Sequence, residues 1–195
     1  DNCVGVLRSF ASLRGCPDDG PCLEGLDGLP PPSGCTGGAR VGGVALDLPD
    51  GRSFTVVDVH ASAGLSQDDM DCRVEQFTQV FEDRGDGSPA ASGPVNLVAG
   101  DINTDPFVLA EADPSAAYWA SFAGEGLPFG YLSSSDDNGP ATHVTGLRID
   151  QVIGDGLTGD CEVVGQGGSP GPLLDAVYWD HAPVLCLVTL PADPS

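Results

Sequence analysis

Glycine and proline interrupt this sequence so often that long regular elements have little room to form. Twenty-eight glycines and seventeen prolines are spread over 195 residues. Glycine gives the backbone turn conformations and proline removes a ladder donor, so this density points to short strands joined by turns and long loops. The length suits one domain, or one and a fraction, and 41% hydrophobic residues can supply a core. No apolar run approaches the roughly eighteen residues of a membrane span.

Residues 1–39 read as an apolar strand (Val4, Val6, Leu7, Phe10) followed by a Cys/Pro/Gly-rich loop of the same domain. From Arg40 the pattern becomes regular. Val44, Leu46 and Leu48 alternate, Pro49-Asp50-Gly51-Arg52 turns, and Phe54 to Val59 returns, which predicts a hairpin running into His60. A helix follows, with Ser66 as N-cap, Asp68 and Asp69 in the first turn, and Met70, Val74, Phe77 and Phe81 as its core face. After a loop over residues 85–93, Val95, Leu97 and Val98 form a buried strand that stops at Gly100-Asp101. Asp105-Pro106 is predicted to open a second helix. Residues 147–153, 162–164 and 183–190 read as further strands, and the alternation of strands with a few helices implies an α/β or α+β sandwich.

The net charge is −22, and all seven basic residues are arginine. Such a surface repels polyanions at long range and argues against tight, sequence-independent nucleic-acid binding. It fits a saline or cation-rich setting or a site that recruits divalent metal, and equally a lysine-poor genome with a solvated acidic surface. The seven cysteines form no paired Cys-x-x-Cys units, which disfavours a cysteine zinc site and favours disulfides in an oxidising compartment. Their odd number leaves one thiol free or paired outside this chain.

Four segments place acids, amides and histidines where strands stop. They are Val57-Asp58-Val59-His60-Ala61-Ser62-Ala63-Gly64, Asn96-Leu97-Val98-Ala99-Gly100-Asp101-Ile102-Asn103-Thr104-Asp105-Pro106, Gly146-Leu147-Arg148-Ile149-Asp150-Gln151-Val152, and Tyr178-Trp179-Asp180-His181-Ala182-Pro183-Val184. Each alone has an ordinary structural reading, such as an Asx turn at Gly-Asp-x-Asn. In this order and spacing, over roughly residues 40–190, they resemble the endonuclease/exonuclease/phosphatase superfamily. Its signatures are a strand ending in Thr-His, a Gly-Asp-Phe-Asn-x-x-Pro turn, an Arg-x-Asp strand and a closing Ser-Asp-His-x-Pro-Val.

The resemblance implies a DNase I-like α/β/β/α sandwich and a secreted, metal-dependent phosphodiester hydrolase of endonuclease type, with phosphatase or sphingomyelinase-type activity open. Phosphodiester hydrolysis needs an activated water, a neutralised anionic transition state and a stabilised leaving oxygen, and carboxylates suit the hard cations that assist. By resemblance, Asp101 orients or deprotonates water, and Asn103 donates to a phosphate oxygen. Asp150 fixes the tautomer of His181 and holds it as imidazolium, while His60 serves as general acid. Asp180 is a metal ligand for Mg²⁺, with Ca²⁺ or Mn²⁺ as alternatives, and Arg40 binds phosphate. His143 is read as supporting this set from outside or as unrelated to it.

The superfamily's early strands, one carrying Asn and one ending in Gln-Glu, have no counterpart before Arg40, and Glu24 follows no strand. The expectation is therefore that residues 40–195 form the C-terminal part of the domain, without its N-terminal strands. A separate or additional N-terminal segment would supply those strands and the metal-ligand glutamate. The expected location is extracellular or periplasmic, and the expected substrate is a phosphodiester, with DNA one candidate. The alternative is a non-catalytic structural or binding module that keeps the fold.

Overall fold

The computed structural model describes residues 12–13, 29–35, 40–47, 52–133, 139–164 and 180–191. The expected strand over residues 4–10, Glu24, and Cys3, Cys16 and Cys22 lie outside them. The hairpin forms as β2 (Arg40–Asp47) and β3 (Ser53–His60), and β1 (Ser12–Leu13) pairs with β2 from the other side. The helix α1 (Gln67–Phe81) then carries the chain to β4 (Asn96–Asp101), which lies parallel to β3. The helix α2 (Pro114–Ala120), β5 (Gly130–Tyr131) and β6 (Asp150–Asp155) follow. The order β1-β2-β3-β4-β6-β5 makes one mixed six-stranded sheet. A second sheet holds β7 (Thr158–Val163) and β8 (Val184–Thr189), joined across the strands by Cys161–Cys186. The chain is thus a mixed α/β protein, as its strand and helix alternation implies.

Strand alternation divides the burial between the two faces of the main sheet. Val41, Val57, Val59, Val98 and Ile153 pack with Phe77 and Val80 of α1 and Trp119 of α2. On the opposite face Leu46, Phe54 and Val56 gather with Val44, Leu97 and Leu190. Both faces of β3 are therefore covered, which explains its nearly unbroken apolar run.

Ser66 caps α1 as its sequence predicts, in a capping box with Asp69. Three other expectations need correction. The buried face of α1 is Cys72, Arg73, Gln76, Phe77 and Val80, not the stripe through Met70 and Val74. It is rotated because Arg73 finds enough acceptors inside to occupy a core position. Asp105-Pro106 opens a run of turns rather than a helix. Asp105 is drawn into an ion pair with Arg148, and the capping is done by a second Asp-Pro pair, Asp113-Pro114, whose carboxylate accepts from Ser115 N–H at 2.8 Å. The strand expected over residues 147–153 also starts later than its apolar pattern suggests, as β6 at Asp150. Residues 142–147 close a turn in which Thr142 and His143 N–H both donate to the Leu147 carbonyl at 3.1 Å.

Candidate active site

Strand register builds the site. His60 pairs with Asp101 across β3 and β4, and Asp101 pairs with Asp150 across β4 and β6. Arg40 pairs with His60 by backbone register, so the four positions form one row across four adjacent strands. Alternation puts His60, Asp101 and Asp150 on the face opposite the helices, where β3 and β4 also carry Val56 and Leu97.

Gly100 is needed to reach this geometry. Its φ is 141°, and a Cβ there would run into the Val59 carbonyl of the neighbouring strand. Asn103 then takes the left-handed conformation at φ 50°, one that asparagine tolerates better than most residues. The turn folds back on Asp101: Asn103 N–H donates to Oδ1 at 2.8 Å, and Asn103 Nδ2 donates to Oδ2 at 3.0 Å. The same Nδ2 also donates to the Ala61 carbonyl at 3.0 Å. Both amide protons are thereby engaged, so contact with a phosphate would require an exchange of partners.

His181 reaches the row from the segment before β8. Its Nδ1 lies 2.9 Å from Asp150 Oδ2 and 3.1 Å from Oδ1. Its Nε2 stands 3.9 Å from Asp101 Oδ2, and His60 Nε2 stands 4.0 Å from the same oxygen. These separations exceed a hydrogen bond, so the groups do not satisfy one another, and a water seated beside the gap could reach both. The His60 side chain is 58% exposed and that of His181 35%, whereas Asp101 is 14% exposed, so the carboxylate forms the floor of an open site.

Burial pushes the Asp101 carboxyl above the usual carboxylate range, and the Asp150 charge adds to this against the opposing Asn103 amide and the two histidines. Burial alone would lower the His181 pKa. The Asp150 hydrogen bond and the charges of Asp150, Asp101 and Asp180 outweigh it and raise the value above that of a free histidine. The carboxyl is therefore moved up and the imidazole is held more firmly in its charged form, directions that would suit proton transfer near neutrality.

Asp180 is exposed beside His181, and its carboxylate makes no hydrogen bond to the other described residues. An open carboxylate of this kind fits Mg²⁺, Ca²⁺ or Mn²⁺, which bind through oxygen and keep several waters. His143 packs its ring against His181, with centroids 4.8 Å apart. The chain's three histidines thus all stand at this site.

The residues that hold the loops are less visible in the sequence. Arg73 is fully buried and makes four hydrogen bonds: to Ser115 Oγ (2.8 Å), Asp113 Oδ2 (2.8 Å), and the carbonyls of Ser62 (3.0 Å) and Gly64 (2.8 Å). It ties the loop after His60 to the start of α2. Arg148, stacked over Phe107, pairs with Asp105 at 3.3 Å and ties the Asp101 turn to β6. Thr142 Oγ1 accepts from both Ile149 and Asp150 N–H at 3.0 Å and fixes the position of Asp150. An arginine beside the apolar stripe of α1, in a chain with seven basic residues, is the one signal that could have marked Arg73.

The fold and site define a mixed α/β protein with a histidine–carboxylate cluster at the strand ends of its main sheet. No family model and no curated protein matches the chain. Among solved structures, it is similar to the human Nocturnin catalytic domain with bound sulfate (14% identity, TM-score 0.49, 78% of this chain and 53% of that one). It is also similar to a Bacteroides thetaiotaomicron mannosyl-6-phosphatase (14%, 0.46, 78% and 57%). A third is an endonuclease/exonuclease/phosphatase family protein from the same organism (14%, 0.39, 77% and 56%). The chain spans about half the length of the solved structures it matches.

Proposed function

We propose that this chain carries catalytic residues of a metal-dependent phosphodiester hydrolase of endonuclease type that works outside the cytoplasm. The observation that carries the reading is the register row His60–Asp101–Asp150, with His181 held by Asp150 and both imidazole Nε2 atoms turned toward Asp101 Oδ2. Asp101 accepts the proton of the attacking water, its carboxylate aimed by the Asn103 backbone and side chain. His181, kept protonated by Asp150, donates to a non-bridging phosphate oxygen and offsets the charge that grows on it. His60, exposed at the mouth of the site, delivers a proton to the leaving oxygen. Asn103 gives up the Ala61 carbonyl to contact phosphate, and Arg40, at the end of the row, adds a cation for the same group. A Mg²⁺, Ca²⁺ or Mn²⁺ ion held by Asp180 would neutralise phosphate charge when bound.

The disulfides Cys35–Cys72 and Cys161–Cys186 support an extracellular or periplasmic location. No helix among the described residues is long and apolar enough to cross a membrane. The net charge of −22 weighs against tight binding to a long polyanion, so DNA stands beside smaller phosphoesters as substrate. The test is hydrolysis of DNA, bis(p-nitrophenyl) phosphate and sphingomyelin, with Mg²⁺ and with chelator, by the parent and by His181→Ala. Expected is a Mg²⁺-dependent rate on at least one substrate that His181→Ala lowers by about a hundredfold or more. A rate that His181→Ala leaves intact refutes the assignment.

A further inference from the structure

The mechanism above leaves His143 without a task, although its position is fixed by backbone pairing. His143 and His181 face each other across an antiparallel bridge. Val144 N–H donates to the Asp180 carbonyl at 2.9 Å, and Ala182 N–H donates to the Thr142 carbonyl at 2.8 Å. Directly opposed residues of an antiparallel pair project their side chains from the same side. The two imidazoles are therefore brought together by main-chain geometry, and the exposed Asp180 carboxylate comes within reach of both. One ligand atom from each of His143, Asp180 and His181 lies within 4.8 Å of the other two.

We propose that His143, Asp180 and His181 form a site for a borderline transition-metal ion of the Zn²⁺ class, and that its occupancy switches hydrolysis off. The inhibitory half rests on the role given to His181 above; the binding half does not. Two imidazoles and one carboxylate suit Zn²⁺ or Co²⁺, whereas Mg²⁺ selects oxygen ligands alone. Ligands bound at ~2.0–2.2 Å in a tetrahedron sit ~3.3 Å apart, so the cluster closes by small rotations of the exposed Asp180 and the two rings.

The surroundings of both rings leave Nε2 open. His181 has Nδ1 on Asp150 at 2.9 Å, the carboxylate–histidine arrangement that orients a metal-binding imidazole. His143 has Nδ1 at 2.7 Å from Thr145 Oγ1. The tautomer that donates Nδ1–H to this hydroxyl frees Nε2 for a metal. Thr145 N–H also approaches Nδ1, at 3.3 Å, which favours the other tautomer in the free protein, so metal binding selects between the two. Once His181 Nε2 is a ligand it carries no proton for phosphate, and Asp180 is withdrawn from the hard cation.

Calorimetry with Zn²⁺ and the visible absorption of Co²⁺, on the full chain at high ionic strength with free thiols blocked, read binding without any assay of activity. Expected is one ion per chain, with affinity reduced about tenfold or more in His143→Ala and in His143→Gln. Near-UV circular dichroism controls for folding. Hydrolysis in Mg²⁺ is expected to be inhibited by Zn²⁺ in the parent, and each His143 variant to need about tenfold more Zn²⁺ for the same fractional inhibition. Unchanged Zn²⁺ affinity in both folded variants overturns the site. Binding that depends on His143 but leaves Mg²⁺-driven hydrolysis untouched overturns the switch. A parent that hydrolyses nothing with any ion fails the hydrolase reading instead, and the calorimetry still decides the site.

Discussion

Two charged assemblies stand side by side at the loop end of the main sheet, and they differ in where their polar atoms point. Around Arg73, which is itself fully buried, the guanidinium, Asp113, Ser115 and two carbonyls face one another in a network that reaches the surface only at Gly64. Around Asp101, the nearest imidazole edges stop at 3.9 and 4.0 Å and open to solvent. The first assembly satisfies its charges internally and so fixes the loops. The second leaves donors and an acceptor that do not satisfy one another. Similar residue types thus give architecture in one place and an open cluster, to which we assign chemistry, in the other, and the difference lies in whether the partners are already in contact.

That contrast breaks most visibly at Arg73. Arg73→Met leaves Asp113 buried without its cation and is expected to cost about 3–5 kcal/mol of stability, read by denaturant unfolding. Arg73→Lys should recover little of this, because an ammonium cannot span four acceptors set around a planar fork. A loss under 1 kcal/mol would show that the buried network is not what holds the loops.

Asp150→Asn acts on the open assembly and should change stability little at alkaline pH, where His181 is neutral, while altering the pH profile. Without the carboxylate, the Asp150 hydrogen bond and charge no longer oppose burial at His181, and only the Asp101 and Asp180 charges do, so its pKa falls. The alkaline limb of the rate profile should move to lower pH, with about tenfold loss of rate at neutrality. In the parent, the stability contributed by charged His181 is full below pH 6.5 and is lost as pH rises through the raised folded value. An unmoved alkaline limb in Asp150→Asn would separate His181 from the reaction.

Acid should affect the two assemblies in opposite senses, and this is the smallest effect. Burial tends to raise the Asp113 carboxyl, but hydrogen bonds from Ser115 and Thr104 and the Arg73 charge bring it below the ordinary aspartate value of 3.8. Its contribution is present above 3.8 and disappears as pH falls through the lower folded value. Asp101 is shifted up, so the native state takes a proton first and gains stability as pH falls through that raised value. Stability measured between pH 7 and 3 should accordingly lose an acid-favoured component in Asp101→Asn and an acid-labile one in Asp113→Asn.

Much of the open assembly was legible because it is written in contiguous residues at strand ends. The apolar runs Phe54 to Val59 and Val95 to Val98 mark buried strands, and the abrupt stop at Gly100-Asp101 marks where polar groups emerge. The buried assembly was not legible, because Arg73 and Asp113 are far apart in sequence and each looks like a surface residue until its partners are placed. The same reason hid the change of role at Asp105-Pro106. An Asp-Pro pair suits a helix start, but only the tertiary pairing with Arg148 decides that Asp105 is used elsewhere. His143 was set outside the site because only the bridge to His181 brings it in.

The Asp101 cluster is proposed to do chemistry rather than hold the fold. Its most direct test is the rate of Mg²⁺-driven bis(p-nitrophenyl) phosphate hydrolysis by Asp101→Asn, measured with its unfolding midpoint. The account expects the rate to fall about a hundredfold or more with stability kept within about 1 kcal/mol of the parent. A rate equal to the parent's, in protein that is equally well folded, would contradict it.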